Sequence, residues 1–494
     1  MEKTENKGEY QVIEIPKSGA HDQKSTPPRG KEIANNGEII ETREPDGRGS
    51  SSRHPTLALL QSRLLSISRP RGIYTSTSNH SASIYRVPKI LAGMSTRAVE
   101  PEIVSVGPYH RGKEHLMAFE KNKLQHLNSF LSREGEKGDH FLQQLIEAME
   151  EEESRARECY SEAVDMSSED FVMMMVIDCC FILELFLQFG DITAVHSEND
   201  GNLVSMITTP WLLPIISRDL LKLENQIPFF LLRKLFDLLT PDPQNRENYL
   251  DSAIILSKRA LIFFSLFRPL ATKQSVKQSY LAEPKHLLQL FRSSKVLSLR
   301  AILSYNYNPS SIQPMQCVRQ LWSSGVKFRP RREINGKAVS FLDITFNEHN
   351  RVLEIPTIHI DDLTNTILIN CMAFERGHSH IEPHFSAYIA FLSCLIKSAR
   401  DVALLSSCGI IINSSQSDQQ VAEFFRQLEE KAVVYTQNCY LSSVFRKVED
   451  YYSSNLAKLR RTYFRRPWTF ISVVSAAALL ILTAIQTYAA VSKQ

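Results

Sequence analysis

The chain has 494 residues, enough for one large domain or two to three ordinary ones. Its 57 Lys and Arg against 54 Asp and Glu leave a net charge of +3, which argues against a dedicated nucleic-acid binder, since such proteins gather positive charge on one face. Hydrophobic residues at 43% and aromatics at 9% exclude wholesale disorder.

Residues 1–15 are charged and polar, without the apolar run of a secretory signal. Residues 1–80 are rich in Ser, Gly, Pro, Arg, Lys and Glu, and Tyr10 and Tyr74 are their only aromatics. Such a stretch buries too little apolar surface to offset its conformational entropy, so a disordered polar tail is expected. The eight cysteines include no CxxC pair and no zinc spacing, which predicts reduced and mostly buried thiols.

From Ile84 the pattern becomes that of a folded body, running to about residue 461. A short extended entry (Ile84–Pro88) precedes a turn at Ser105-Val106-Gly107-Pro108-Tyr109-His110. Helices are predicted over 116–131, where Lys123 interrupts an apolar 3.6-residue period, and over 140–160. Phe171–Phe189 is apolar almost throughout, but Asp178 and Glu184 would each cost roughly 2.5–3.5 kcal/mol at bilayer depth, so a surrounded core helix is predicted. A buried Glu184 calls for a partner, an Arg or Lys from elsewhere. Helix continues over 212–239, with a break near Asn225-Gln226 because Pro228 starts a helix well and interrupts one badly. Further helices are expected at 250–268, 284–297 and 314–324.

The period then shifts from 3.6 to 2. Val326–Phe328, Ala338–Phe346, Val352–Ile355 and Thr357–Ile360, with turns at Asn335-Gly336 and 347–350, predict a small antiparallel β insert over about 326–360. Helices resume at 363–375, 383–405, 418–430 and 436–461. The predicted fold class is therefore mainly α with a small antiparallel β insert, ending in a transmembrane helix.

That last element is Trp468–Val491, 24 residues without a charge. At 1.5 Å per residue it extends about 36 Å, enough for a hydrocarbon core of about 30 Å with some tilt. Leu479 and Ile485 lie in its apolar middle, and Trp468 and Tyr488 stand where aromatic belts belong. Arg460, Arg461, Arg465 and Arg466 precede it, whereas only Lys493 follows, so the positive-inside rule predicts a cytosolic body. The arginines would meet anionic headgroups. The expected partners are the lipid bilayer of the plasma membrane or an endomembrane, and an unidentified protein. Insertion of so late a segment is expected after translation, as in a tail-anchored protein.

The common nucleotide, hydrolase and zinc-protease signatures are absent, and no catalytic, cofactor-binding or metal-ligating residue is assigned. His378, His380 and His384 with Glu375 and Glu382 form the densest ligand-type cluster, but Glu-Pro-His reads as a loop entering a helix. Asp361-Asp362, before Leu363-Thr364, is expected to form a helix N-cap. Asn79 and Asn413 lie in glycosylation sequons, which a cytosolic body would leave unmodified.

Five segments, in order, carry a resemblance: Ile84–Pro88, Ser105–His110, Asp178–Glu184, Leu223–Phe230 (Leu-Glu-Asn-Gln-Ile-Pro-Phe-Phe) and the closing apolar helix. Together they resemble the plant proteins labelled domain of unknown function 247, over roughly residues 84–490. Cys179 stands where the family usually has Gly, and Lys222 where it tends to have Leu, which predicts a more exposed face there. The resemblance implies a plant membrane protein without established enzymatic activity. Some grass relatives are associated with pollen–stigma self-incompatibility, which implies recognition or signalling. Gly107, Pro108, Tyr109, His110, Asp178, Glu184, Glu224, Asn225, Gln226 and Pro228 are expected to be structural, forming a turn and a helix junction. Two rival readings stay open. One is an enzyme of unrecognised type using Glu184, Glu224 and His110 as acid–base groups; the other is a receptor-like body outside the cytosol.

Overall fold

A computed structural model describes residues 82–133, 138–189, 210–239, 249–266, 284–297, 315–332, 339–378, 380–414, 416–431, 439–461 and 467–492. All fall within one unit, Arg69–Gln494. The tail expected over 1–80, the Asn335-Gly336 turn, Arg465 and Arg466 lie outside the described residues.

The first half is built around one helix. Short helices α1 (Lys89–Ala92) and α2 (Thr96–Val99) lead to α3 (Met117–Arg133) and α4 (Gly138–Glu158). Next come α5 (Ser168–Phe189), α6 (Leu213–Asp219), α7 (Phe229–Leu239) and α8 (Tyr249–Leu266). Helix α5 packs against α3, α4, α7 and α8, and its residues from Met174 to Phe186 are all buried. Its apolar circumference therefore reflects neighbours on every side, as the sequence pattern predicts. The break expected near Asn225-Gln226 is an irregular stretch between α6 and α7, with Pro228 directly before α7.

Helices α9 (Leu287–Leu297) and α10 (Val318–Ser323) precede the strands β1 (Lys327–Arg331), β2 (Thr345–Asn347), β3 (Val352–Pro356) and β4 (Ile358–Ile360). The expected β insert is present, but its pairing needs correction. The three-stranded sheet has the order β1-β3-β2 and is mixed: β2 pairs β3 antiparallel, whereas β1 pairs β3 parallel, Phe328 opposite Leu353. Strand β4 leaves this sheet and pairs in parallel with β5 (Ile411–Asn413), a strand the pattern does not predict.

Helix α11 (Asp362–Arg376) starts at Asp361, whose side chain accepts from Thr364 N–H at 2.9 Å, the cap the sequence predicts. It packs against α2, α9 and α12 (His384–Leu395). The single helix expected over 383–405 is two: Ile396 turns extended (φ −104°, ψ 98°), and Ser398 opens α13 (Ala399–Ser407). The chain continues through α14 (Asp418–Lys431), α15 (Ser442–Ser453), α16 (Asn455–Leu459) and α17 (Pro467–Val491).

Candidate functional site

Four of the five resemblance-bearing segments, all but the closing helix, meet at one buried junction. Residues 101–110 and 220–228 are irregular, so their buried N–H and C=O groups find no partners in a helix or sheet ladder. Side chains take that place. Asp219, at the end of α6, accepts from the N–H groups of Glu102, Ile103 and Val104 at 2.8–3.1 Å. Asn225 accepts from Val106 N–H at 2.7 Å and donates to Val104 O and Asp219 O, both at 3.0 Å. Gln226 donates to Leu220 O (2.7 Å) and Lys222 O (2.8 Å) and accepts from Leu288 N–H (3.0 Å), tying the loop to α9. Asn370 on α11 accepts from Leu223 N–H at 2.8 Å and donates to Ala98 O at 2.7 Å.

Gly107 takes φ +72°, and a Cβ there would lie 2.6 Å from Gln226 O, so only glycine lets the two segments touch. Its N–H donates to Asp178 Oδ2 at 2.9 Å, while Asp178 Oδ1 receives Lys123 Nζ at 2.6 Å. Lys123, off-pattern in the sequence, is fully buried and also donates to Ser105 O. Lys222 corrects the expectation of an exposed face. It is fully buried, 2.7 Å from Asp219 Oδ1, and donates to Glu100 O at 2.6 Å. Burial pulls its pKa down and Asp219 opposes that shift. Asp219, Lys123 and Asn370 are members of this network that sequence reasoning missed. A lone polar residue carries no local sign of a partner that is distant along the chain.

Among the candidate acid–base groups, the structure brings two together. Glu224 Oε1 accepts from Val87 N–H at 2.8 Å, and Oε2 lies 3.3 Å from both Arg86 Nη1 and His110 Nε2. His110 is buried, and neither ring nitrogen makes a hydrogen bond to a described group. Tyr109 beside it stacks under the Arg86 guanidinium and donates to Ile84 O at 3.3 Å. Glu184 stands apart. It lies six residues beyond Asp178, about 9 Å along α5, where Gln188 donates to it at 2.8 Å. The geometry orders two loops around a carboxylate already held by a main-chain N–H and an arginine.

The ligand-type cluster is likewise engaged within the fold. Glu375 is held by Arg292 at 2.8 Å and accepts from the N–H groups of Phe385 and Ser386 at the start of α12. His378 Nδ1 lies 3.1 Å from Phe374 O, and His384 Nε2 lies 3.4 Å from Glu382. Asn413 donates to Gln416 O and accepts from Gln416 N–H. Asn79 lies outside the described residues.

At the C-terminus, α17 is the one described helix long and apolar enough to cross a membrane. Leu479, Ile485, Tyr488 and Val491 are exposed. Thr483 and Thr487 donate their hydroxyls to the carbonyls of Leu479 and Thr483, both at 2.8 Å, so neither presents an unmet donor outward. The side chain of Trp468 is not among those described. Arg460 lies against Gly325, and Arg461 lies over the Tyr452 ring at 3.7 Å.

A family model described as "Plant protein of unknown function" matches residues 84–482. The Arabidopsis thaliana protein named UPF0481 protein At3g47200 is 31% identical over 442 residues, covering 84% of this chain and 87% of its own. A second Arabidopsis thaliana relative, Putative UPF0481 protein At3g02645, is 23% identical over 495 residues, covering 83% and 90%. No solved structure matches.

Proposed function

Because this chain belongs to the plant family labelled domain of unknown function 247, we propose a function set by position: a helical body held at a membrane by α17, where it binds a protein partner. The observation that carries this reading is α17 itself, 25 residues of uncharged helix whose described apolar side chains, from Ile471 to Val491, face outward. In water that surface would be costly, whereas a bilayer core about 30 Å thick matches a helix about 37 Å long with modest tilt. The basic residues ahead of α17 support a cytosolic body and a C-terminus across the membrane.

The junction supports a scaffold for recognition over catalysis. Glu224, Asn225, Gln226 and Asp178 are all engaged with main chain or with fixed cations. Glu184, the third group an acid–base reading requires, is engaged by Gln188 on its own helix.

Protease protection tests the topology. With a tag at each end of the full chain in sealed microsomes, added protease should remove the N-terminal tag and the body but spare the C-terminal tag. A protected body, or glycan on Asn79 or Asn413, would favour the receptor-like orientation instead.

A further inference from the structure

Strand β1 is an edge of its sheet among the described strands, and it is basic: Lys327-Phe328-Arg329-Pro330-Arg331, followed by Arg332. Its cations are not alike. Arg331 is held by Asp343 (3.1 Å), Glu354 (2.9 Å) and Thr345 (2.7 Å). Lys327, Arg329 and Arg332 are exposed and form no ion pair among the described residues, although Arg329 stands opposite Glu354 in the β1–β3 register. Arg329, Pro330, Arg331, Arg332 and Glu354 line an open cleft of about 390 Å³. Pro330 and this charge would also discourage another strand from adding to the edge.

The edge lies close to the root of the anchor. The Arg460 guanidinium covers Gly325, two residues before Lys327, so closely that a methyl group there would overlap it. Tyr451 of α15 donates to Ser324 O at 2.8 Å, and Lys447 reaches Glu348 at 3.2 Å. From Arg460 to Trp468 is eight residues, a tether of at most about 29 Å when fully extended. The sheet edge is therefore on the part of the body that the anchor keeps near the membrane. Around it, Trp322 stacks on Phe328 yet remains 49% exposed, and Leu456 and Leu459 of α16 are each 50% exposed.

We propose that Lys327, Arg329 and Arg332 form a docking surface for the anionic phosphate headgroups of the leaflet that α17 enters. The inference rests on the anchor reading above. Unpaired cations match a negative surface. A basic residue at such a surface favours the bound state roughly five-fold, so the three together bias the body strongly towards the membrane. The attraction falls with salt, because it acts within a Debye length.

The test reconstitutes the full chain into phosphatidylcholine vesicles with and without phosphatidylserine and follows amide hydrogen exchange over residues 322–332. Phosphatidylserine should slow exchange there, high salt should abolish the slowing, and K327E/R329E/R332E should remove it while exchange in β3 stays unchanged. Equal exchange in both vesicles, with the chain still resisting alkaline extraction, overturns the docking surface and leaves the anchor intact. Inorganic phosphate reproducing the slowing in neutral vesicles also overturns it, since the ligand is then not the bilayer. Release of the chain by alkali from both vesicles overturns the anchor, and this inference with it.

Discussion

Lys123 Nζ lies 2.6 Å from Asp178 Oδ1, and neither side chain reaches solvent. The pair joins α3 to α5, and Asp178 passes the connection on to Gly107 N–H. Removing one member strands a charge in the interior. Lys123→Met should therefore destabilise the chain by about 3–5 kcal/mol. Adding Asp178→Asn, which keeps an acceptor for Gly107, should recover part of that loss. Urea unfolding of the detergent-solubilised chain measures both; a single variant within about 0.5 kcal/mol of the parent contradicts a charged pair at this site.

Gly107 and Gly112 separate backbone strain from collision. Both have positive φ, +72° and +80°, but a Cβ at Gly112 would meet nothing within 4 Å. Gly112→Ala should cost about 1–2 kcal/mol, the strain of a left-handed alanine. Gly107→Ala adds an overlap with Gln226 O and should cost about 3 kcal/mol or more. Equal losses in thermal melts would show that the two segments part easily.

Asn225→Ala leaves Val106 N–H and Val104 O without their partner, whereas Asp219 O keeps Lys222 N–H at 3.2 Å. A buried group so stranded costs about 1–3 kcal/mol. The local readout is sharper than the global one: the Val106 amide should exchange with deuterium markedly faster in the variant. Unchanged protection at Val106 would show that Asn225 does not hold this loop.

Burial holds His286 at about 3, below its ordinary 6.5. Its Nδ1 accepts from Gln289 N–H at 3.3 Å, and its ring meets Phe374 edge-on. Below pH 6.5 the unfolded chain gains a proton that the folded chain does not. Stability should thus fall with pH, by up to about 1.4 kcal/mol per unit, until the folded form titrates near pH 3. His378 and His384, also lowered chiefly by burial, act with the same sign. His286→Asn, which keeps an acceptor for Gln289, should flatten this slope between pH 6.5 and about 4.5. Parallel slopes for parent and variant would contradict a neutral buried imidazole.

Helices were legible where the apolar period was long, as in α5, whose two carboxylates also told a core helix from a membrane span. The break before Pro228 was legible because proline cannot continue a helix. Elsewhere the deciding contacts were remote along the chain. Lys123 and Lys222 looked off-pattern or exposed because Asp178 and the Asp219–Glu100 pair of acceptors are invisible in a local window. The parallel pairing of β1 with β3 escaped because adjacent short strands with turns between them suggest hairpins. Strand β5 has three residues, too few to show a period. Ile396 ends α12 with no proline or glycine to mark the change. Within the junction, the Glu-Asn-Gln run stood out as a motif, but Asp219 and Asn370, which make equivalent bonds, did not.

The central claim is that α17 resides in lipid. Membranes from cells expressing the full chain, or a version ending at Arg466, can be washed at alkaline pH and the pellet assayed. The full chain should stay in the pellet and the shortened one should move to the supernatant. If the shortened chain is retained as firmly as the full one, α17 is not what holds this protein to the membrane.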